Sequence, residues 1–174
     1  MTVSDPRDVV DVLRQFHAMM SRRVGDADVV ETVATFVLES FGAASATINR
    51  VDHSRGAYHS VVNVGRLGLG ETTRPADESY GFAEFPWATE MLLAHRGYAT
   101  DLSDERCPPE YQALLSRLDK RACLGAPIER RGQLLGEVWL TRDIPFEDRD
   151  IHLLTAIGAA TARYLRAEPV TARR

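Results

Sequence analysis

The chain has 174 residues, 44% of them hydrophobic and 26% charged, the balance of one globular domain with enough apolar side chains for a substantial core. A net charge of -4 leaves no basic footprint for nucleic acid or an anionic membrane surface, and no apolar run approaches the ~20 residues of a membrane-spanning helix. Two cysteines, Cys107 and Cys123, and an acidic amphipathic N-terminus unlike a secretory leader fit a cytoplasmic protein.

"SDPRDVVDVLRQFHAMMSRR" opens with a helix signal: Asp5 can cap, Pro6 suits the first helical position and Asp8 the first turn. Val9, Leu13, Phe16 and Met20 follow at helical spacing and form one apolar stripe. "GDADVVETVATFVLESFG" predicts a second helix, with Asp28 and Glu31 as a capping-box-like pair and Gly42 at its close. Its apolar positions cover more than half its circumference, so it is expected to pack on more than one side. The period then changes. "SATINRVDHSRGAYHSVVNVG" reads as two strands joined at "DHSRG", an antiparallel hairpin. "RLGLGETTRPADESYG" reads as a loop with room for a short strand.

"PWATEMLLAHRG" has helical spacing and stops at Gly97, "YATDLSD" suits a short strand, and the prolines of "PPEYQALLSRL" start a short helix. "ACLGAPIERRGQLLGEVWLTRD" is a second hairpin turning at "ERRG". "FEDRDIHLLTAIGAATARYLRAEP" predicts a final helix of about 22 residues, or ~33 Å. Two hairpins exclude a purely parallel sheet, and helices at both chain ends and between the hairpins predict an α+β fold with helices on both faces of a central antiparallel sheet. Residues 1–25 are expected as an N-terminal amphipathic helix, 26–168 as the main domain and 169–174 as a disordered tail.

Alternation along the second hairpin supports a sheet covered on both sides. Ala122, Leu124, Ala126 and Ile128 share one face, with Cys123, Gly125 and Pro127 on the other. Leu134, Gly136, Val138 and Leu140 are expected together, opposite Leu135, Glu137 and Trp139. Upstream, Tyr80, Phe82, Phe85 and Trp87 fall within eight positions, and rings at that density must bury against a partner or leave an apolar patch.

"LGAPIERRGQLLGEVWLTRDIPFEDRDIHLLTAIGAATARYL" resembles the C-terminal half of a GAF domain. The matching residues are Ala126, Pro127 and Ile128, then Gly132, Leu134, Gly136 and Leu140, then Phe146 and Asp150 before the long helix. "DADVVETVATFVLESFGAASATINRVD" is similar to that family's first long helix and first strand, so the resemblance covers roughly residues 26–168. It implies N- and C-terminal helices on one face of the sheet and ligand-pocket helices and loops on the other. It implies a small-molecule pocket lined or roofed by Tyr80, Phe82, Phe85, Trp87 and Met91, with Asp101, Cys123 and Trp139 near its walls. Aromatic walls with few polar groups suit a planar ligand. The other outcome is that the rings collapse into the space and no ligand exists. The sequence identifies neither a ligand nor a cofactor.

Catalysis has little to stand on. No Ser/His/Asp or paired-carboxylate constellation can be assembled, and "RLGLGE" lacks the residues of a phosphate cradle. His17, His53, His59, His95 and His152 show no metal-ligand spacing, although His59 or His95 is placed to ligate haem as in some GAF sensors. Cys107 and Cys123 admit a thiol-dependent methionine sulfoxide reductase, but the denser cysteine pattern of such GAF-type enzymes is absent. Also missing are the cysteine that attaches bilin before the middle helix and the signature of cyclic-nucleotide-binding relatives. The reading is a non-enzymatic sensory or regulatory module. A ligand-free dimerisation scaffold and the reductase are its rivals.

The segment from Ser79 to Ile128 resembles GAF segments attached to diguanylate cyclases and other signalling outputs, which implies an output partner in trans or a longer parent protein. A homodimer through the terminal helices is expected, using Val9, Leu13, Phe16 and Met20 of the first with Ile157 and Thr161 of the last. Small residues from Gly158 to Thr161 would let another helix approach. The competing arrangement lays the first helix along the last within one chain.

Overall fold

The computed structural model of the protein describes residues 6–22 and 25–165. The Asp5 cap, the Asp8 side chain and the 169–174 tail lie outside the described residues. Two helices, α1 (Pro6–Met20) and α2 (Asp26–Ser40), precede the hairpin of β1 (Ser45–Asp52) and β2 (Ala57–Gly65). A middle segment follows: β3 (Ser79–Gly81), a 3-10 turn at Phe82–Glu84, α3 (Pro86–Leu93), β4 (Tyr98–Asp101) and α4 (Pro109–Arg117). The second hairpin, β5 (Ala122–Arg130) and β6 (Gln133–Arg142), leads into α5 (Asp148–Thr161). All six strands pair antiparallel in the order β3-β2-β1-β6-β5-β4, which is the expected α+β architecture.

The sheet carries a core on each face. On one, α1, α2 and α5 cover Ala46, Ile48, Leu124, Ile128, Val138 and Leu140. On the other, the middle segment covers Tyr58, Cys123, Leu134 and Trp139. β1 and β6, paired at the centre, are therefore buried on both sides, as their apolar residues on both faces require.

Two bulges adjust this plan. The register jumps so that Leu135 has no partner opposite the Ile128–Glu129 step, and Leu134 turns to the middle-segment face while Leu135 packs with the helices. This corrects the strict alternation, which had placed Leu134 beside Val138. A one-residue bulge reverses the parity of every residue beyond it. In β2 the extra residue is Val61, which lets Ser60 and Asn63 serve the same face.

Helix ends differ from expectation in two places. α2 starts earlier, with extended Gly25 at its N-cap, and Asp28 and Glu31 do not cap it; Glu31 pairs with Arg74 instead. Its close does fall at Gly42, whose φ of +55° lets the Ala43 amide reach the Leu38 carbonyl at 2.9 Å. α5 has 14 residues, ~21 Å, rather than about 22 residues. Beyond Thr161 the bonds tighten to three-residue steps, Arg163 to Ala160 and Tyr164 to Thr161. The Tyr164 ring thereby meets Phe16, and its hydroxyl lies 2.7 Å from His17 Nδ1.

That contact settles how α1 packs in one chain. Phe16 and Met20 are fully buried against their own chain, with Phe16 edge-on to Phe36 at 5.4 Å. Ile157 and Thr161 are equally buried, and Val9 and Leu13 pack partly buried on the same core. The side chains named for pairing two copies are thus used within one. Gly158 also faces inward: a Cβ there would stand 2.2 Å from the Pro127 carbonyl oxygen, so it admits β5 rather than another helix.

Candidate functional site

A cavity of about 40 Å³ lies between the sheet and the middle segment. Its floor is one face of three strands: Thr47 and Asn49 of β1, Tyr58 and Ser60 of β2, and Glu137 and Trp139 of β6. Phe85, Ala88, Tyr111 and Leu114 cover it from α3, α4 and the turn before α3. Tyr98 closes one end, and Glu71, Glu78 and Tyr80 stand at the other.

Tyr98 owes its place to a glycine. A Cβ on Gly125 would fall 2.4 Å from the Tyr98 ring, so only the bare backbone of β5 lets the phenol lie over the strand and point at β6. There Tyr98 donates to Glu137 Oε1 at 2.6 Å, and Tyr111, 2.7 Å away, donates to Tyr98 in turn. Asn49 Nδ2 donates to the other Glu137 oxygen at 2.9 Å. Burial pushes the Glu137 carboxyl up to about 7, a rise that these two hydrogen bonds partly oppose. Burial first, and the Glu137 charge second, push Tyr98 and Tyr111 upward, and the same two causes raise the Cys123 thiol.

A second carboxylate sits at the wetter end. Glu78 accepts from Ser60 and Tyr80, each at 2.9 Å, and from Asn63 at 3.1 Å. Ser60 also contacts Asn49 Oδ1 at 3.0 Å, so Glu78 and Glu137 belong to one polar network across the sheet. The loop carrying Glu71 and Glu78 is tied to β2 by the Asn63 amide to the Thr73 carbonyl, 2.9 Å, and the Ser60 amide to the Glu78 carbonyl, 3.0 Å. Its base is held by Lys120, whose ammonium donates to the Arg66 carbonyl.

Of the expected site residues, Tyr80, Phe85 and Trp139 line the cavity. Phe82, Trp87 and Met91 form a layer around it: Phe82 leans on Tyr58 at 4.8 Å, and Trp87 meets Tyr98 edge-on at 5.0 Å. Cys123 is buried in the same layer with Cys107, and Asp101 turns away to accept from the Ser103 amide at 2.8 Å. These five do not line the space. The expectation of few polar groups is also corrected, since Thr47, Asn49, Ser60, Glu71, Glu78 and Glu137 all face it. Alternation had put Glu137 on the face of Trp139, the one signal that pointed to it. The two haem-ligand candidates lie outside the lining: His59 is 3.9 Å from Asp52, and His95 pairs with Glu129. Among the described residues no three His, Cys, Asp or Glu side chains converge for a metal.

A six-stranded antiparallel sheet backed by terminal helices and fronted by a covered cavity is the architecture of the GAF-like α+β class. The GAF domain profile matches residues 27–165, and the chain belongs to that family. The matched region begins after α1. The fold resembles the GAF domain of a phosphoenolpyruvate-protein phosphotransferase from Coxiella burnetii, with a TM-score of 0.73 at 18% identity over 92% of this chain and 94% of that one. The Acinetobacter counterpart gives 0.70 at 15% over 90% and 91%. The chromophore-binding domain of phytochrome P1 from Stigmatella aurantiaca gives 0.75 at 12%, over 96% of this chain and 63% of that one. No curated protein sequence matches the chain.

Proposed function

We propose that the chain is a sensory or regulatory module that binds a small molecule in the cavity under its middle segment and reports occupancy to a partner. GAF domains generally serve such roles, and one observation carries the reading here. Glu137, only 5% exposed, is held by hydrogen bonds from β1 and β4 in a cavity walled by rings on one side and polar side chains on the other, which is a built polar site rather than collapsed packing. β6 then supplies a route. Glu137 and Trp139 face the cavity while Val138 and Leu140 between and beyond them pack on the helical face, so a shift of β6 is felt on both sides.

Among the described residues no catalytic constellation supports turnover: the cysteines are buried, with Cys123 pushed towards the unreactive thiol. Output in trans and pairing of two copies belong to this proposal. Native mass spectrometry of the protein from its source tests it. A bound mass that is lost in Ala88→Leu, which fills the cavity from α3, supports the reading; a wild-type protein with no adduct and no binder in a metabolite screen removes it.

A further inference from the structure

We propose that the ligand this cavity selects is a small organic cation, an ammonium with a few heavy atoms. The inference rests on the sensory reading above and adds the chemical class. Charge is the first reason. The described lining contains Glu71, Glu78 and Glu137 and no lysine, arginine or histidine. The charged neighbours are outside it: Lys120 is bound to the Arg66 carbonyl, and Arg117, near Tyr80, is exposed at the surface. An anion placed here would face Glu71, Glu78 and, once it is ionised, Glu137, with no counter-charge on the walls.

Hydrogen-bond capacity is the second reason. With Glu137 ionised, the lining hydroxyls are already committed within the protein. Tyr98 donates to Glu137, Tyr111 to Tyr98, Tyr80 to Glu78, and Thr47 to Asn63 at 2.7 Å. Thr89 points to the Phe82 carbonyl at 3.3 Å, so Tyr58 donates to Thr89 at 3.0 Å. Ser60 is held between Asn49 and Glu78, and the Trp139 indole lies beside the Cys123 thiol. Each carboxylate offers about four lone-pair positions, of which Glu137 uses two and Glu78 three, so apart from the second Asn49 amide N–H most of what the cavity has left to offer is acceptors. The matching guest brings N–H donors and positive charge.

The walls are the third reason. Tyr80 and Phe85 meet edge-on at 5.7 Å, Phe85 and Tyr111 at 5.4 Å, and ring faces attract cations through their quadrupoles. Size sets the limit: 40 Å³ is room for roughly three waters, hence for methylammonium or ethylammonium without displacing a ring.

The experiment titrates methylammonium and ethylammonium into the full chain, reading the fluorescence of Trp87 and Trp139 together with thermal shift. Potassium at equal ionic strength controls for screening, and formate, acetate and acetamide serve as anionic and neutral probes. The amines are expected to bind saturably, with affinity falling at least about tenfold in Glu137→Gln and in Glu78→Gln. Glu90→Gln, which removes an exposed carboxylate of α3 outside the lining, is expected to retain binding. Tighter binding of an anionic or neutral probe, or amine affinity unchanged in both Gln variants, overturns the cation class while leaving a ligand-binding cavity. Binding of no probe, together with no adduct on protein from its source, overturns both readings.

Discussion

Burial brings the Glu137 carboxyl to titrate near neutrality. Its folded value of about 7 lies above the ordinary 4.5, so the folded chain holds a proton that the unfolded chain releases between those values. Stability from this group is therefore fully present below about pH 4.5 and is lost as pH rises through about 7. The loss is on the order of 3 kcal/mol for a shift of this size. Of the groups packed against it, Tyr58, Tyr98, Tyr111 and Cys123 are raised by burial, away from that window, and Asn49 is uncharged. We expect urea midpoints to fall between about pH 5 and pH 7, and Glu137→Gln to flatten that slope; equal slopes would assign the dependence elsewhere. Protonation also reverses the hydrogen-bond chain. Asn49 can only donate to its oxygen, so the acid proton sits on Oε1 and donates to Tyr98, which then donates to Tyr111. At the same scale, Gly125→Ala drives a methyl into the Tyr98 ring. It is expected to destabilise the fold by about 1–3 kcal/mol and to lower the Glu137 value, because the ring no longer shields the carboxyl. Titration of the carboxyl by NMR reads the second effect. None of this convergence was legible in sequence. Tyr98 and Glu137 lie 39 positions apart, and local periodicity carries no information about which distant rings meet.

Elements were more legible. Every strand and helix expected from spacing is present, because capping prolines, turn glycines and apolar period act within a few residues. Departures occur where distant contacts override local preference. α5 leaves its helical path after Thr161 because Tyr164 is drawn to α1, and β6 changes parity at Leu135 because one residue is extra opposite β5. The seat of α5 on the sheet is set at Gly158. Gly158→Ala puts a methyl against the Pro127 backbone, which cannot rotate away as a side chain can, so the helix must lift. Despite its better helix propensity, alanine is expected to lower stability by about 1–3 kcal/mol. That corresponds to roughly 2–4 °C in melting temperature per kcal/mol for a chain of this size. A melting temperature at or above wild type would show that α5 has slack at this point.

Across the whole molecule, α1 is part of the fold, packed against α2 and α5. Phe16→Glu buries a charge among Phe36, Tyr164 and the α5 core, so it is expected to lower the melting temperature sharply whether the protein is one chain or two. Val10, 56% exposed on the outer side of α1, is the residue that reports on pairing. Val10→Glu is expected to leave the stability of a single chain within about 0.5 kcal/mol of wild type. If α1 joins two copies, sedimentation equilibrium of this variant shifts towards one chain; an unchanged dimer mass moves the interface elsewhere. The middle segment has a further consequence. It enters the sheet at one border through β3 and leaves at the other through β4, each only three or four residues long, beside strands of nine. The stretch that roofs the cavity is therefore also the guard rail for both rows of open backbone amides and carbonyls on β2 and β5. Loosening the roof at either end uncovers a template for strand addition, so in this protein the clarity of a solution and the closure of its cavity rise and fall together.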